Sequence, residues 1–483
     1  MSAPDLASLY DATALWAVSP LIALACGVLA LLVAGVLTPA RWARGAVVAT
    51  TLALAFVLQA GLLSDPAGTV LDGTYTADRT AALWGLLFLA GTAVAWLYSL
   101  GYYGEDRPYK VEHDAMLLAT PIGMMLMAGA QDLLIFFVGL ELLSVPLYAL
   151  CAFRRNRARS VESGLKYFLL GAFSAAFFLY GASLIYTATG TISLIELRAS
   201  GIGSPLALTG VALLVASVFF KISVFPFHLW VPDVYEGAPT PVTVLMATGT
   251  KAAAFAFLLN ATFLLPASAA MTIALVAIVT MALGNLGALV QEDVKRMLAY
   301  SGIAHAGTVL LVVAGALAGD PQPGGARDAA LYYMAAYVPT AAGAFGLLAL
   351  LEREGEHFTS LENLRGLARR RPCVAAALTL FMLSLGGIPL TGGFLGKYLV
   401  FYTAVRAELV GIAVVGVLLS VVALGYYLRV VVAMYMQPEP EGLARAHTGP
   451  LEEVPATFAT AACAAFVLLL GVLPGWFLQQ LGG

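Results

Sequence analysis

The chain of 483 residues is 61% hydrophobic and only 11% charged, and its mean hydropathy is +0.89. Soluble domains carry roughly 25% charged residues, so this composition predicts a polytopic membrane protein made of many helices. The formal net charge of −3 argues against a nucleic-acid partner. The four cysteines are scattered and form no CxxC pair, which argues against a metal site, an iron–sulfur cluster or a disulfide framework on this chain.

Fourteen apolar runs are long enough to cross a bilayer, which takes about 20 residues of helix. They are 19–38, 45–64, 80–100, 113–130, 132–153, 161–187, 205–228, 239–264, 270–291, 295–316, 328–352, 372–404, 408–436 and 455–481. No basic segment precedes the first run, so we expect it to stay in the mature protein rather than be cleaved as a signal peptide. The predicted fold class is an all-α polytopic membrane protein of about fourteen transmembrane helices.

The basic residues are distributed unequally over the connections between these runs. The odd-numbered connections carry sixteen lysines and arginines, including Arg107 and Arg445, whereas the even-numbered ones carry four. Short loops rich in Lys and Arg remain in the cytoplasm. The odd connections and the turn over 228–238 are therefore predicted to face the cytoplasm, with both termini on the opposite side.

Two of the runs are interrupted by glycine and proline. The seventh ends within the segment FFKISVFPFHLWVPDVYEGAPTPVT (219–243), and the twelfth contains FMLSLGGIPLTGGFLGK (381–397). Hydrocarbon offers no water to a freed backbone group, so a helix broken at membrane depth must line a cavity enclosed by protein. Each break is thus a candidate site of function.

The positions of the breaks predict an internal repeat. Helices four to eight lie in 113–264 and helices nine to thirteen in 270–436, between three N-terminal helices in 1–112 and a last helix in 455–483. An odd number of helices per unit makes the two units insert upside down relative to each other. Two inverted five-helix repeats, each with one broken helix, are a common plan of transporters.

Four lysines fall inside the predicted spans. Lys221 and Lys251 flank the first break, Lys397 follows the glycines of the second, and Lys166 lies in the sixth span. Ionisable groups at membrane depth are costly and usually mark an ion or proton route. Burial disfavours the charged form of lysine, so a buried lysine can take up and release a proton near neutral pH, as arginine cannot.

Each lysine also has a structural interpretation. Lys166 is near enough to the cytoplasmic end of its span to reach the interface, and otherwise points inward as a partner of Glu141 or Lys221. Lys221 and Lys251 could merely pair two adjacent helices. Lys397 does not belong to a phosphate-binding P-loop, because Thr391 replaces the first glycine of the pattern G-x-x-x-x-G-K-[ST] and Tyr398 replaces its hydroxyl residue.

One acid and two histidines complete the set of candidates. Glu141 lies near the middle of the fifth span, where a carboxylate is either neutral and bonded to a carbonyl or paired with a lysine. His228, in the first broken segment, could relay protons between lysines, and His305 in helix ten is a further candidate. A neutral histidine bonded to a neighbouring helix is the alternative for both. Asp233 and Glu236 are expected to hold the geometry of the cytoplasmic turn by accepting hydrogen bonds from backbone amides.

The run HLWVPDVYEGAPTPVT (228–243) resembles the signature of the antiporter-like membrane subunits of proton-pumping NADH:quinone oxidoreductase, respiratory complex I. Fourteen helices with breaks in the seventh and twelfth are similar to that family over essentially the whole chain. The chain is most similar to the N-type branch of that family. The similarity rests on the motif YEGAPTPVT, on the absence of a long lateral C-terminal helix and on a lysine at 397.

The resemblance implies a role for each candidate. Glu141 is the helix-five glutamate and Lys221 its lysine partner, while Lys251 is the central lysine and Lys397 the terminal one. Lys166 and His228 would lie on the polar axis that connects them. Quinone reduction elsewhere in the complex would change the Glu141–Lys221 pairing and send a proton toward Lys251 and Lys397.

The resemblance further implies no cofactor on this chain, with FMN, iron–sulfur clusters and quinone held by other subunits. The expected partners are other membrane subunits of complex I, including further antiporter-like subunits, together with the lipid bilayer and protons. The expected location is the bacterial cell (inner) membrane. Two alternatives stay open, namely a subunit of a multisubunit cation/proton antiporter without redox coupling and a structural membrane spacer with inert lysines.

Overall fold

The computed structural model describes residues 11–38, 40–103, 110–319, 325–354, 359–440 and 450–481. The first half of the chain forms α1 (Ala12–Leu37), α2 (Arg41–Ser64), α3 (Arg79–Tyr102), α4 (Val111–Gly129), α5 (Leu133–Cys151), α6 (Ala158–Thr189), α7 (Leu194–Ser200), α8 (Pro205–Ile222), α9 (Trp230–Gly237), α10 (Thr240–Leu245) and α11 (Lys251–Asn260). The second half forms α12 (Ala270–Leu289), α13 (Val294–Leu317), α14 (Gly325–Glu354), α15 (Leu367–Arg370), α16 (Pro372–Gly386), α17 (Gly392–Arg406), α18 (Val410–Met436), α19 (Pro450–Val472) and α20 (Pro474–Leu481).

Twelve helical segments of the described chain are long and apolar enough to cross a membrane. The predicted all-α polytopic membrane class is thereby confirmed. Helix α4 and the pair α16–α17 lie at the two predicted spans outside that number. Arg107 and Arg445, which contributed to the predicted orientation, are outside the described residues.

Short elements between the spans were not predicted. Strands β1 (Gly68–Val70) and β2 (Tyr75–Ala77) form an antiparallel hairpin between α2 and α3. Its turn places Asp72 and Gly73 at φ 54° and 85°, and this Asp-Gly pair is a strong hairpin signal. The predicted last span, 455–481, is divided into α19 and the short helix α20.

Both predicted breaks are present, and the helices before them end in the same way. Helix α8 is followed by Ser223 at φ 67°, and α16 by Gly387 at φ 84°. In each case the next amide donates back across the cap, from Val224 N to Phe219 O (3.1 Å) and from Ile388 N to Leu383 O (3.0 Å). This hydrogen bond is characteristic of a Schellman motif at a helix C-terminus. The chain then runs without helix until α9 and α17 begin.

The eighth predicted span is not one regular helix. A π-helical turn over Met246–Thr250 separates α10 from α11. The hydroxyls of Thr248 and Thr250 donate to carbonyls four residues earlier, Val244 O and Met246 O, and such bonds compete with regular helix geometry. Turns of this type occur frequently at functional sites, and this one directly precedes Lys251.

The two predicted repeat units interlock in the segment that follows the first break. Helix α9 packs against α13, and α10 packs against α14. The segment that follows the first break is therefore held by helices of the second unit. Almost the whole of the window Thr240–Asn260 is buried inside the protein, so its polar groups must find partners within the protein.

Candidate functional site

Three of the four candidate lysines are buried inside the helix bundle. The exposed fraction is 3% for Lys221, 1% for Lys251 and 8% for Lys397. Among the described residues, no carboxylate lies within 4.0 Å of any of these three ammonium groups. Burying a charge without a counterion is expensive, and hydrogen bonds to neutral oxygens take the place of ion pairs here.

Lys221 lies in the last turn of α8 and reaches α5 and α6. Its Nζ donates to the hydroxyl of Ser144 (2.7 Å) and to that of Tyr167 (3.0 Å). The Tyr167 ring stacks on Trp230 with centroids 4.6 Å apart, and the Trp230 indole donates to Phe220 O at 3.2 Å. The rings thus tie both halves of the broken helix to the lysine.

Glu141 lies three residues before Ser144 on α5 and is half-buried. Its carboxylate is close enough to Lys221 for an electrostatic interaction, but the two do not form a salt bridge in the described part of the chain. The predicted pairing is therefore indirect in this conformation, because the Ser144 hydroxyl occupies the position of the direct acceptor.

Lys166 lies at the surface, with 41% of its side chain exposed. Its Nζ is 2.6 Å from Glu162 and 3.0 Å from Asp233. Lys166 therefore reaches the surface, as one of its two interpretations expected, and does not lie beside Glu141 or Lys221. The residue of α6 that contacts Lys221 is its neighbour Tyr167.

Around Lys166, side chains of α6, α9 and α13 form an alternating network of charges. Asp233 links Lys166 to Arg296 (2.9 Å), and Arg296 also contacts Glu236 (2.6 Å). Lys166, Asp233 and Glu236 line an open polar cavity of about 190 Å³. Burial alone would raise the pKa of Asp233, but the hydrogen bonds from Lys166 and Arg296 outweigh it and hold that pKa below its ordinary value. Asp233 and Glu236 thus anchor the turn through side chains, rather than through backbone amides as expected.

Lys251 occupies the centre of the bundle at the first residue of α11. Its Nζ donates to Gly302 O of α13 at 2.7 Å and lies 5.8 Å from the centre of the Tyr235 ring. A side chain at Gly302 would place its Cβ 2.9 Å from this Nζ. The missing side chain at 302 is therefore what allows the amine to reach the carbonyl.

His305 lies between the central and the terminal lysine. It is close enough to both Lys251 and Lys397 for electrostatic interaction. Its Nδ1 is 2.5 Å from the Tyr333 hydroxyl, and its Nε2 is 3.0 Å from the Tyr427 hydroxyl. The imidazole therefore connects two hydroxyls on different helices, as a proton relay requires. A cavity of about 10 Å³ next to it is of the size that holds one water.

Lys397 lies on α17 and turns back to the second break. Its Nζ donates to Gly386 O, the last residue of α16, at 3.0 Å. A Cβ at Gly387 would lie 2.9 Å from the Lys397 Cδ. Gly387 therefore has two structural effects: it adopts the left-handed conformation of the helix cap, and it leaves room for the Lys397 side chain.

His228 lies in the irregular segment between α8 and α9 and is half-buried. Its Nδ1 is buried, and no described residue forms a hydrogen bond with it. The structure thus brings His228 to the first break but does not join it to Lys221 or Lys251 by hydrogen bonds among the described residues. Its relay role remains a prediction.

A buried acid near the end of α14 was not predicted from the sequence. Glu352 is only 6% exposed and accepts from Tyr102 (2.8 Å) and Arg154 (3.2 Å), while Lys295 lies 3.5 Å away. It also accepts a hydrogen bond from Thr240. Its place at the end of an apolar span, next to a charged connection, made it resemble an ordinary loop residue.

Comparison with known proteins identifies the group of proteins that share these features. Residues 130–423 match the family model described as "NADH:quinone oxidoreductase/Mrp antiporter, TM". The chain is 40% identical over 472 residues to NADH-quinone oxidoreductase subunit N of Myxococcus xanthus, covering 91% of this chain and 90% of that protein. It is 42% identical to the subunit of the same name in Salinibacter ruber, covering 86% and 85%.

Solved structures share the fold over nearly the full length. A chain of respiratory complex I from Thermus thermophilus with bound aureothin has a TM-score of 0.81 and 37% identity, covering 95% of this chain and 98% of that one. A chain of the Mrp complex from Dietzia has a TM-score of 0.83 at 21% identity, covering 97% and 96%, which shows a common fold alone. The protein therefore belongs to the family of membrane subunits shared by NADH:quinone oxidoreductase and Mrp antiporters.

Proposed function

We propose that this chain is the N-type proton-translocating membrane subunit of an NADH:quinone oxidoreductase. The observation that carries the proposal is the set of three buried lysines, each held by neutral oxygens at or near a break. The high identity to proteins named subunit N supports the redox-coupled assignment. The partners are other membrane subunits of the complex and the surrounding lipid.

The proposed mechanism is electrostatic. Quinone reduction elsewhere in the complex changes the field at Glu141 and Lys221. When the carboxylate no longer favours charge on Lys221, its ammonium releases a proton toward Lys251. His305, between its two tyrosine hydroxyls, passes a proton from Lys251 to Lys397. Proton relays of this kind are the usual role of ionisable groups within a membrane.

The side of each step follows from the proposed orientation. The chain lies in the bacterial cell membrane with its termini outside, so that the charged network around Asp233 faces the cytoplasm. The polar cavity there would supply protons at the first break. Lys397, at the second break, would release them on the other side. Flavin, iron–sulfur clusters and quinone belong to other subunits in this proposal.

The test is Lys251→Ala in the assembled complex, with the exposed Lys110→Ala as the matched control. Removing a group that carries a proton costs about 10²- to 10⁴-fold in such steps. Proton translocation per electron should therefore collapse while the complex still assembles. Normal translocation in the Lys251 variant would refute the relay, and an effect on assembly alone would favour the structural spacer.

The second candidate is a subunit of a multisubunit cation/proton antiporter. The family model covers both groups, and the Mrp chain shares the fold. The 21% identity to that chain, against 37% to the complex I chain, favours the redox-coupled assembly. Mass spectrometry of the native assembly separates the two, since only a complex I would contain peripheral redox subunits.

A further inference from the structure

Five separate parts of the fold meet at one buried carboxylate. Tyr102 ends α3, Arg154 follows α5, Thr240 begins α10, and Lys295 lies in the first turn of α13. All four side chains contact Glu352, near the end of α14. These contacts are separate from the hydrogen bonds that the three buried lysines form.

The two oxygens of Glu352 hold different parts of the protein. Oε1 accepts from Tyr102 and Arg154, which belong to α3 and the α5–α6 connection. Oε2 accepts from Thr240 and faces Lys295, which belong to α10 and α13. One carboxylate thus joins the start of α10 to a separate group of helices.

Lys295 strengthens the hold on the start of α10. Its Nζ also donates to Glu236 O at the end of α9 (3.2 Å) and to Ala238 O in the link that follows (2.7 Å). The junction between α9 and α10 is therefore fixed by Lys295 on its carbonyls and by Glu352 on the Thr240 hydroxyl.

The same two helices meet again at the central lysine. Gly302, whose carbonyl accepts from Lys251, is seven residues after Lys295 on α13. Seven residues are two turns, so both lie on one face of α13, about 10 Å apart along its axis. The segment from Ala238 to Lys251 is thus attached to α13 at both ends. Between the attachments lies the π-helical turn, where the backbone departs from α-helical geometry.

We infer that Glu352 is a positioning residue, which fixes the register of α10 and α11 against α13 and so keeps the Lys251 amine on the Gly302 carbonyl. It acts through Thr240 and Lys295 and carries no proton itself. This inference rests on the proposed function, because it matters for translocation only if Lys251 is on the proton route.

A native cysteine reports on this register. Cys151, the last residue of α5, is fully buried, and its sulfur lies 3.2 Å from that of Met246, the first residue of the π-helical turn. A shift of α10 would uncover this thiol. Alkylation of Cys151 by N-ethylmaleimide, followed on its peptide by mass spectrometry, measures that shift independently of proton transfer.

The experiment compares Glu352→Gln with Glu352→Asp in the assembled complex. An amide has one acceptor oxygen, so Gln cannot accept on both sides, whereas Asp can. We expect Gln to lower proton translocation per electron by about three- to thirtyfold and to speed alkylation of Cys151, with Asp restoring both in part. Glu439→Gln is the matched control, because it removes a carboxylate from the surface pair with Arg370.

The outcomes separate the alternatives. Translocation within twofold of the control, or an unchanged rate of Cys151 alkylation, would overturn the inference, and a merely structural carboxylate would lower only the amount of complex. If the Glu352→Gln complex does not assemble, Thr240→Val removes one hydrogen bond to Glu352 at nearly constant side-chain shape. This variant must then lower proton translocation and speed alkylation of Cys151. Normal pumping in Lys251→Ala would instead refute the proposed function itself.

Discussion

Lys221 and Ser144 are joined by a hydrogen bond of 2.7 Å between the broken helix and α5. The Ser144 hydroxyl in turn donates to Leu140 O on its own helix. Glu141, three residues before Ser144, acts on the lysine through space rather than by contact. The hydroxyl therefore stabilises the ammonium by direct contact, whereas the carboxylate acts on it without forming a salt bridge in the described part of the chain.

The first prediction concerns this hydroxyl. Ser144→Ala leaves the buried Lys221 ammonium with one acceptor fewer, a loss worth about 1–3 kcal/mol. Because the proposed route begins at Lys221, proton translocation should fall severalfold with assembly intact. Proton uptake by inverted membrane vesicles measures it. Ser183→Ala, at an exposed position on α6, is the control, and equal uptake by the two variants would contradict the role of the hydroxyl.

The breaks could be predicted from sequence, whereas the rotation of individual helices could not. Pro226 lacks an amide hydrogen and Gly387 adopts a positive φ, and these local properties weaken a helix, although the lone Pro146 lies within α5. Lys166 was chosen because it is charged, yet its neighbour Tyr167 faces the site. One residue turns a helix by about 100°, and the largely apolar α6 carries little signal that sets its rotation.

Contacts between distant segments were equally hidden. Glu352 is 112 residues from Thr240 and 250 from Tyr102, and a charge at the end of an apolar span usually lies in solvent. The π-helical turn depends on packing and threonine bonds that no periodic pattern shows. What the sequence did indicate was the chemistry, namely buried lysines beside Gly- and Pro-rich segments.

The second prediction tests the link between the central and the terminal lysine. His305→Phe keeps an aromatic ring but removes both nitrogens, so transfer from Lys251 to Lys397 should slow by about tenfold or more. Tyr427→Phe, which removes the hydroxyl at Nε2, should have a smaller effect in the same direction.

The neighbouring tyrosine supplies a matched control for this experiment. Tyr426 donates to Asn285 rather than to His305, so Tyr426→Phe should translocate protons nearly as the native protein does. Proton translocation per electron is the quantity compared. If the variants at 426 and 427 are equally affected, the His305 relay is wrong and the tyrosines serve packing alone.

The third prediction uses the similarity of the two helix caps. Gly387→Ala forces an alanine into the left-handed region, which costs about 1–2 kcal/mol, and brings its Cβ against the Lys397 side chain. Both the melting temperature of the assembly and proton translocation should fall. Ser223→Gly, the converse change at the first cap, should relieve strain and leave melting equal or higher. A Gly387→Ala variant with native melting and translocation would show that neither the cap nor the space matters.

The fourth prediction concerns the pH dependence of the charged anchor of α9 at Asp233. The pKa of Asp233 lies below its ordinary value because its hydrogen bonds to Lys166 and Arg296 outweigh burial. A carboxylate whose pKa is lowered by folding stabilises the fold above its ordinary pKa of about 3.9, and the stabilisation is lost as pH falls through the folded value. The anchor of α9 should therefore hold at neutral pH and weaken only below about pH 4.

Hydrogen exchange of the α9 amides in native protein and in Asp233→Asn measures this anchor. The native protein should be better protected at pH 7, because asparagine cannot form the charged pairs with Lys166 and Arg296. The difference should shrink toward zero in acid, where the native carboxyl is protonated and neutral as well. Comparison of the two proteins at each pH removes the intrinsic pH dependence of exchange. Equal protection at pH 7, or a difference that persists unchanged into acid, would show that the charge of Asp233 does not hold the segment.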